Sequence, residues 1–372
     1  MDETPLDLLH LQAHKLLAQD RAFSTAAITA IEPIVGDGST RQYVRLRLSG
    51  CEHRSAVMMV LRAWKDPLGG GRNNLSQDDT FVEMARFFAS HKIPVPNLYI
   101  DARKDKLLLV EDVGSVGLWE FAFGRRGVKD LPLPCSDPVL MLYKRAIDII
   151  AQLQSIAHDD NCVAFQRSCT LEQYRREASE FVQYFIPAKL SLSRSEIESI
   201  SSFHDTLCRT LMEHPRTLSH FDYMSFNLFV DPQGQVRVVD FQDASLNSAA
   251  RDVLALINDR DVDFALGKER HAELLRYAAS VLTFDKDLLD HYYQYLLHWC
   301  FRVAGRFVLL SEKRGKPAYQ AWIPGTLRRL GRTLATPQAQ ALPGASAVFD
   351  LLSKACPEVD EGASGLWPGV EA

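Results

Sequence analysis

Residues 218–243 have the sequence LSHFDYMSFNLFVDPQGQVRVVDFQD, the most informative stretch of the chain. His220 and Asp222 are separated by one residue, and Asn227 follows Asp222 by five positions. Asp240 follows Asn227 by thirteen positions. Aspartate and asparagine are common in turns, so any one of them alone carries little weight. The ordered set, on a predicted loop and hairpin in a helical region, indicates a functional site.

The second half of this stretch predicts a β-hairpin. Two short apolar runs, at residues 228–230 and 236–239, flank the turn sequence DPQG at residues 231–234. Such a pattern is typical of two antiparallel strands joined by a tight turn. The open end of this hairpin would bring Asn227 and Asp240 close together.

These residue types suit phosphoryl transfer. That reaction needs little covalent help from the protein, and positioning and charge neutralisation dominate it. One carboxylate must lie near the attacking hydroxyl, and hard oxygen ligands must hold Mg²⁺. We therefore assign Asp222 as the base or orienting carboxylate, and Asn227 and Asp240 as metal ligands. His220 is expected to be structural, bonding to nearby backbone.

The apolar pattern divides the chain into a strand-rich first part and a helix-rich second part. An amphipathic helix is expected near the start, and a glycine-bearing turn follows at residues 36–39. Strands are expected at residues 31–35, 43–48, 56–61, 98–100 and 107–110. Further helices are expected at residues 81–90, 140–157, 171–185, 196–212, 272–281 and 288–310.

This layout predicts an α+β, two-lobed fold with a small β-rich N-lobe and a larger helical C-lobe. The N-lobe spans residues 1–110, and residues 111–114 form the hinge that joins it to the C-lobe. The C-lobe spans residues 115–356 and contains the catalytic loop and the metal motif. The polar segment 357–372 is predicted to be disordered.

The composition excludes several classes of protein. The 372 residues are 47% hydrophobic with a net charge of -5, which is ordinary for a globular protein and gives no bulk attraction to nucleic acid or membranes. The seven cysteines form no C-x-x-C pair, so reduced thiols are expected rather than disulfides or a zinc site. Without a recognisable signal peptide or spanning segment, a cytoplasmic location is predicted.

The motif H-x-D-x-x-x-x-N followed by Asp-Phe resembles the aminoglycoside phosphotransferase-like kinases, relatives of protein kinases. It is most similar to the bacterial anomeric sugar kinases of cell-wall (peptidoglycan) recycling, which phosphorylate the C1 hydroxyl of N-acetylmuramate and N-acetylglucosamine. The resemblance covers roughly residues 30–335. It is carried by GDGSTRQYVRL at 36–46, IPVP at 93–96, LLLVEDVG at 107–114, DFQDA at 240–244, GRF at 305–307, and RGKP at 314–317 with Tyr319 and Pro324.

The resemblance implies a protein-kinase-like fold, with ATP and Mg²⁺ as cofactors. It implies that the turn containing Gly36, Gly38, Ser39 and Arg41 covers the nucleotide phosphates, where glycines admit backbone N–H groups. The backbone near Glu111 and Val113 would bind adenine. Asp243 would be a second metal contact or a substrate contact.

The sequence departs from the kinase pattern at two places. The strand at residues 56–61 lacks the usual phosphate-binding lysine. Arg62, paired with Glu83 on the next helix, could substitute for it, and Arg41 and Arg45 are further candidates. The family also commonly has arginine where this chain has Phe221.

Three functions remain open at this stage. The first is an anomeric amino-sugar kinase, and the second is a kinase of the same fold acting on an aminoglycoside or a choline-like alcohol. The third is a nucleotide-binding pseudokinase that regulates a partner, suggested by the missing lysine. The complete set Asp222, Asn227 and Asp240 favours an enzyme with a small-molecule substrate.

Overall fold

The computed structural model describes residues 5–34, 41–61, 76–124 and 135–365. The chain forms two compact units, each built from three segments. The sheet unit comprises Met1–Gly117, His158–Arg167 and Asn227–Ala244. The helical unit comprises Leu118–Ala157, Ser168–Phe226 and Ser245–Ala372.

These units differ from the predicted lobes in their boundaries. Residues 158–167 and 227–244 were assigned to the C-lobe, but the structure groups them with the sheet. The predicted metal ligands therefore belong to the sheet unit, whereas Asp222 belongs to the helical unit. The role of residues 111–114 as a hinge stays a prediction.

The described residues contain strands, helices and shorter helical turns in the following order. The strands are β1 (Ala27–Ile34), β2 (Gln42–Ser49), β3 (Ser55–Val60), β4 (Leu98–Ala102), β5 (Leu107–Glu111), β6 (Arg216–Ser219), β7 (Leu228–Val230), β8 (Val236–Val238) and β9 (Ser245–Ser248). The helices are α1 (Leu6–Leu17), α2 (Gln77–Ser90), α3 (Leu118–Phe123), α4 (Asp137–Gln154), α5 (Leu171–Glu180), α6 (Ile186–Lys189), α7 (Arg194–Glu213), α8 (Arg251–Asn258), α9 (Val262–Leu266), α10 (Lys268–Val281), α11 (Leu288–Val308), α12 (Ile323–Leu334), α13 (Pro337–Gln340), α14 (Ala345–Ala355) and α15 (Pro357–Ala363). Short 3₁₀ turns lie at Arg21–Phe23, Arg103–Asp105, Val163–Gln166, Ser225–Asn227, Asp259–Asp261 and Pro317–Trp322, and π-helical stretches at Phe181–Phe185 and Leu309–Lys313.

The sheet unit contains a five-stranded antiparallel sheet in the order β1-β2-β3-β5-β4. Alternation along β2 buries Val44 and Leu46 and turns the intervening arginines away, as the period of two requires. The buried face shares one core with Leu9 and Leu16 of α1. The strands and the opening helix predicted from the sequence are thus confirmed.

The helical unit is organised around α11, which packs against α5, α7 and α12. Tyr292, Tyr295 and Trp299 on this helix are all buried, and they contribute to the core. An aromatic cluster on one long helix is therefore explained by packing.

The prediction that the chain is disordered from Pro357 is wrong for the residues described, which extend to Gly365. Residues 357–363 form α15, which packs on α12 and buries Val359. Two glycines allow this contact. A Cβ at Gly362 would lie 1.9 Å from the Arg328 carbonyl oxygen, and one at Gly331 would lie 1.9 Å from the Val359 carbonyl oxygen. The polar composition of this segment did not indicate a helix, because α15 is stabilised by its close packing on α12.

All seven cysteines are free, in agreement with the sequence. Six are buried, and only Cys51, in the β2–β3 connection, is partly exposed. The cysteines therefore act as small apolar side chains in the cores of the two units.

Candidate active site

The structure contains the predicted hairpin, formed by β7 and β8, with Leu228 opposite Val238. At its open end the Val239 N–H donates to the Asn227 carbonyl oxygen over 3.0 Å. This bond makes Asn227 and Asp240 neighbours, although thirteen positions separate them in the sequence. The sheet unit therefore brings together the two residues predicted to bind a metal.

Asp240 has a left-handed backbone conformation, with φ of 64°. Aspartate is among the few non-glycine residues that tolerate this region. Its exposed carboxylate accepts a hydrogen bond of 2.9 Å from the Gln242 side chain. Within the described ranges, no cluster of three or more His, Cys, Asp or Glu side chains could hold a metal. An amide and a carboxylate nevertheless suit Mg²⁺, which retains several of its water ligands.

The residues after Asp240 anchor the motif inside the sheet unit. The Phe241 ring is fully buried and stacks on Phe81 of α2, with centroids 5.0 Å apart. The buried Arg167 donates to the Gln242 carbonyl oxygen over 3.1 Å. Asp243 is half-buried beside these contacts, and its predicted metal or substrate role stays a prediction.

The segment predicted to bind adenine is held by the side chains of Glu111 and Asp112. The Glu111 carboxylate accepts two bonds of 2.7 Å from Arg237 and two further bonds from Asn97. Burial alone would raise the pKa of Glu111, but the bonds from Arg237 and Asn97 outweigh it, so the pKa lies below its usual value. Asp112 pairs with Arg45 over 2.8 and 3.0 Å. Both carboxylates are therefore engaged, which leaves the predicted adenine contact to the backbone.

Several predicted phosphate-binding residues lie outside the described residues. These are Gly36, Gly38, Ser39 and Arg62. The proposed partner of Arg62, Glu83, accepts a bond of 2.8 Å from the Val163 N–H. Glu83 therefore ties α2 to the short turn at Val163–Gln166.

The structure instead shows a buried ion pair between the start of β2 and α2. Arg41 is 8% exposed, and its Nε donates to Asp78 over 3.0 Å. Its Nη2 donates to the Gln77 carbonyl oxygen over 2.9 Å, and its guanidinium lies 5.5 Å from the Phe81 ring centre. The sequence identified Arg41 but missed its partner, because an aspartate in the first turn of a helix is common for other reasons.

In the helical unit, the loop carrying Asp222 begins where β6 ends. Phe221 has a φ of 81°, which is a strained conformation for a bulky residue. The buried Asp252 supports this turn by accepting bonds from Ser219 Oγ (2.7 Å), the His220 N–H (2.7 Å) and the Phe221 N–H (3.2 Å). Beyond the turn, the Tyr223 hydroxyl donates to the Ala146 carbonyl oxygen over 2.9 Å.

Whereas Asp252 binds the N–H groups of this turn, Arg251 supports the turn through its carbonyl oxygen. Its Nε donates to the Phe221 carbonyl oxygen over 2.8 Å, and its Nη2 lies 4.0 Å from Asp222 Oδ1. Sequence analysis missed both Arg251 and Asp252. The available signal was two adjacent charged residues opening α8, a helix in which all eight residues are buried. Charges inside so apolar a helix require buried partners.

Three basic residues, Arg302, Arg306 and Lys316, are candidate partners for an acidic substrate, and two of them pair with glutamates of the helical unit. Arg306 forms a bidentate pair with Glu180, and Arg302 lies 3.6 Å from Glu177. Lys316, the third candidate, is exposed.

Comparisons with known proteins place the chain in a family. Residues 72–292 match APH, the phosphotransferase enzyme family. This match covers more than half of the chain, so the protein belongs to that family and is a phosphotransferase.

Two relatives share one name, N-acetylmuramate/N-acetylglucosamine kinase. The relative from Pseudomonas aeruginosa is 25% identical over 265 residues, which are 68% of this chain and 73% of that protein. The relative from Neisseria meningitidis is 27% identical over 203 residues, which are 51% of this chain and 58% of that protein. The second match therefore spans less than two thirds of the relative. Both names identify kinases, and the chain is a kinase of the APH family.

Solved structures show the same fold. Aminoglycoside phosphotransferase APH(2'')-Ib with ADP bound has a TM-score of 0.57 and 12% identity, over 89% of this chain and 99% of that one. A choline/ethanolamine kinase family protein from Mesorhizobium loti has a TM-score of 0.54 and 13% identity, over 92% and 99% of the two chains. The predicted α+β, protein-kinase-like fold is thus confirmed. None of the helices in the described residues has the length and hydropathy of a membrane-spanning segment.

Proposed function

We propose that this phosphotransferase uses ATP to phosphorylate the C1 hydroxyl of N-acetylmuramate, N-acetylglucosamine or both. The observation that carries the sugar assignment is the similarity, at 25% and 27% identity, to two proteins named as kinases of these sugars. The cell-wall-recycling role implied by the resemblance and the cytoplasmic location predicted from the composition belong to the same proposal.

Asn227 and Asp240 are the proposed Mg²⁺ ligands, because an amide and a carboxylate meet at the open end of the hairpin. Mg²⁺ would neutralise the charge that develops on the phosphoryl oxygens. The bond from Gln242 and the buried ring of Phe241 hold Asp240 in place. Contacts within the chain therefore orient the Asp240 carboxylate.

Asp222 is the proposed orienting carboxylate or base for the acceptor. A bond forms between the acceptor oxygen and the γ-phosphorus, while the bond from that phosphorus to the β,γ-bridging oxygen breaks and ADP leaves. The hydroxyl proton passes to Asp222 or, through it, to solvent. The side chain of Asp222 is 29% exposed, so it is accessible to an acceptor.

Arg41 is the proposed cation for the nucleotide phosphates in place of the missing strand lysine. Protein kinases pair a strand lysine with a helix glutamate, and Arg41 forms an analogous pair with Asp78 of α2. Arginine keeps its charge when buried and can bind phosphate through two N–H groups. The adenine would bind the backbone from Glu111 to Val113. The ion pairs of Glu111 with Arg237 and of Asp112 with Arg45 support this backbone.

The test is to incubate the protein with Mg-ATP and each sugar and to record phosphorus NMR spectra. A sugar 1-phosphate is the expected product. A 6-phosphate would reject the anomeric chemistry but keep the kinase. Transfer to choline or an aminoglycoside, with none to either sugar, would replace the sugar assignment.

The matched control for this assay is Asp240→Asn. Asparagine tolerates the left-handed backbone and still accepts the bond from Gln242, so the fold should be preserved. Loss of the metal-binding charge should lower turnover by at least about a hundredfold. Unchanged turnover in this variant would remove Asp240 from the metal site, and nucleotide binding without turnover in the wild type would favour the pseudokinase.

A further inference from the structure

A fully buried arginine lies behind the catalytic loop of the helical unit. Arg251 is 0% exposed, and a guanidinium in such a place is costly unless it is paired and hydrogen-bonded. Two of its nitrogens are satisfied. Nε donates to the Phe221 carbonyl oxygen, and Nη1 donates to the Tyr295 hydroxyl.

The third nitrogen of Arg251, Nη2, lies nearest to a different group. Nη2 of Arg251 is buried and makes no hydrogen bond to any part of the chain that the structure describes. Its ion-pair partner is Asp222 Oδ1, at 4.0 Å. This distance is too long for a hydrogen bond but leaves the two groups as an ion pair. The unused donor therefore faces the carboxylate proposed to act on the acceptor.

The surrounding contacts fix the guanidinium rather than leave it mobile. Its central carbon lies 3.9 Å from the Phe221 ring centre, and the rings of Tyr295 and Trp299 lie within 5.8 Å. Asp252 holds the N–H groups of the turn, while Arg251 holds its carbonyl oxygen. Hydrogen bonds from two adjacent residues of α8 thus stabilise the strained turn at Phe221.

Phe221 stands where related kinases commonly carry an arginine next to the catalytic aspartate. This chain therefore has no cation at that motif position. Arg251 supplies a cation from α8 instead, and its guanidinium stacks against the Phe221 ring. The aromatic side chain and the buried arginine are complementary, since a guanidinium packs well on an aromatic face.

We propose that Arg251 is a positioning residue that holds the carboxylate of Asp222 ionised and oriented toward the acceptor hydroxyl. The proposal rests on the role of Asp222 given above, but not on the identity of the acceptor. It predicts that removing Arg251 impairs the step that uses Asp222 and leaves ATP binding intact.

A double-mutant cycle tests this coupling. Arg251→Met should lower kcat by about 10- to 100-fold while the KM for ATP stays within about twofold. Asp222→Asn should lower kcat by about 10²–10⁴-fold. In the Asp222→Asn background, Arg251→Met should cost less than about threefold, because residues acting through one group are not additive. If no sugar serves as acceptor, the same cycle is measured on ATP hydrolysis by water, which separates this proposal from the sugar assignment.

Arg329→Met provides the matched control. Arg329 is also fully buried in the helical unit, where it pairs with Asp263, and Arg332 remains to partner that carboxylate. This variant should lower the melting temperature but leave kcat per folded molecule unchanged. It should lower stability equally with Asp222 or with Asn at position 222.

Arg251→Lys covers the case in which the methionine variant does not fold. Lysine keeps the charge but lacks the planar fork, so kcat should fall by about three- to tenfold and the loss should again disappear with Asn at position 222. A loss of kcat that is equally large in both backgrounds, for either variant, would overturn the proposal and make Arg251 purely structural.

Discussion

Arg41 is a buried cation that is proposed to bind the nucleotide phosphates. If it contacts phosphate, Arg41→Gln should raise the KM for ATP by about tenfold, the loss of roughly one charge-assisted hydrogen bond. The KM for the acceptor should not change. Initial rates against each substrate, together with thermal unfolding, measure both effects.

The matched control for Arg41 is Arg47, on the same strand. Arg47 is exposed and pairs with Glu32 over 2.9 and 3.0 Å. Surface pairs of this kind contribute little, so Arg47→Gln should leave the kinetics unchanged. An Arg41→Gln protein that melts earlier but keeps the wild-type KM for ATP would restrict Arg41 to a structural role.

At the residue scale, the sequence predicted the site residues whose separation is set by a local turn. Asn227 and Asp240 were identified because a hairpin turn fixes their separation. Arg251 and Asp252 were missed because they contact the loop carrying Asp222 from about thirty positions away in the sequence. Such a contact depends on how β6 and α8 pack together, and no local pattern records it.

At the element scale, the same limit explains why β9, the partner strand of β6, was missed. β6 and β9 pair with each other, but their buried positions include Thr217, Ser219 and Asn247, so apolar alternation is absent. The polar groups are satisfied inside the helical unit; for example, the Tyr174 hydroxyl donates to Asn247 over 3.0 Å. Strands with polar interiors escape a search based on hydropathy.

The contact between α12 and α15 gives a prediction at this scale. Gly362→Val should push α15 away, because the new side chain would overlap the Arg328 carbonyl. Overpacking commonly costs about 1–3 kcal/mol, so the melting temperature should fall by about 2–6 °C. Differential scanning calorimetry measures the change. Ser364→Ala, at the exposed end of the same helix, should melt within about 1 °C of the wild type. Equal melting temperatures for the two variants would contradict the close contact.

At the scale of the whole molecule, buried neutral histidines govern the response to acid. Burial lowers the pKa of His204 and His214 to about 3 and that of His271 to about 4. In the unfolded chain these groups titrate near 6.5, so they stabilise the fold above that pH and lose this contribution as the pH falls toward 4. Burial raises the pKa of Asp261 to about 7, so this group acts in the opposite direction, and its contribution shrinks as the pH rises from 4 to 7.

The three histidines outnumber this one carboxyl, so the melting temperature should fall when the pH is lowered from 6.5 to 4.5. His204→Phe should weaken this dependence, because the ring lies among Phe181 and Phe301 and phenylalanine cannot titrate. His158→Gln, at an exposed position, should leave the dependence unchanged. The His204 contribution is disproved if melting curves from pH 8 to 4.5 shift equally in both variants.

Two lobes were predicted from sequence, but the segments that make up each unit were not. Each unit is assembled from three separate segments, and the Asp222-to-Asn227 stretch crosses from one to the other within five residues. Local sequence patterns locate strands and helices. The assignment of each segment to one unit depends on contacts between distant parts of the chain. The predicted catalytic set was therefore recognised by its spacing, but its division between two units was not.

The burial of the cysteines has a practical consequence for chemical labelling. Burial raises the pKa of the Cys135, Cys162 and Cys169 thiols to about 11, and only a thiolate reacts readily with a maleimide. Cys51 is the partly exposed member of the seven and lies between β2 and β3. A fluorophore added at neutral pH should thus attach mainly at Cys51, which lies just beyond the end of the strand that begins beside Arg41.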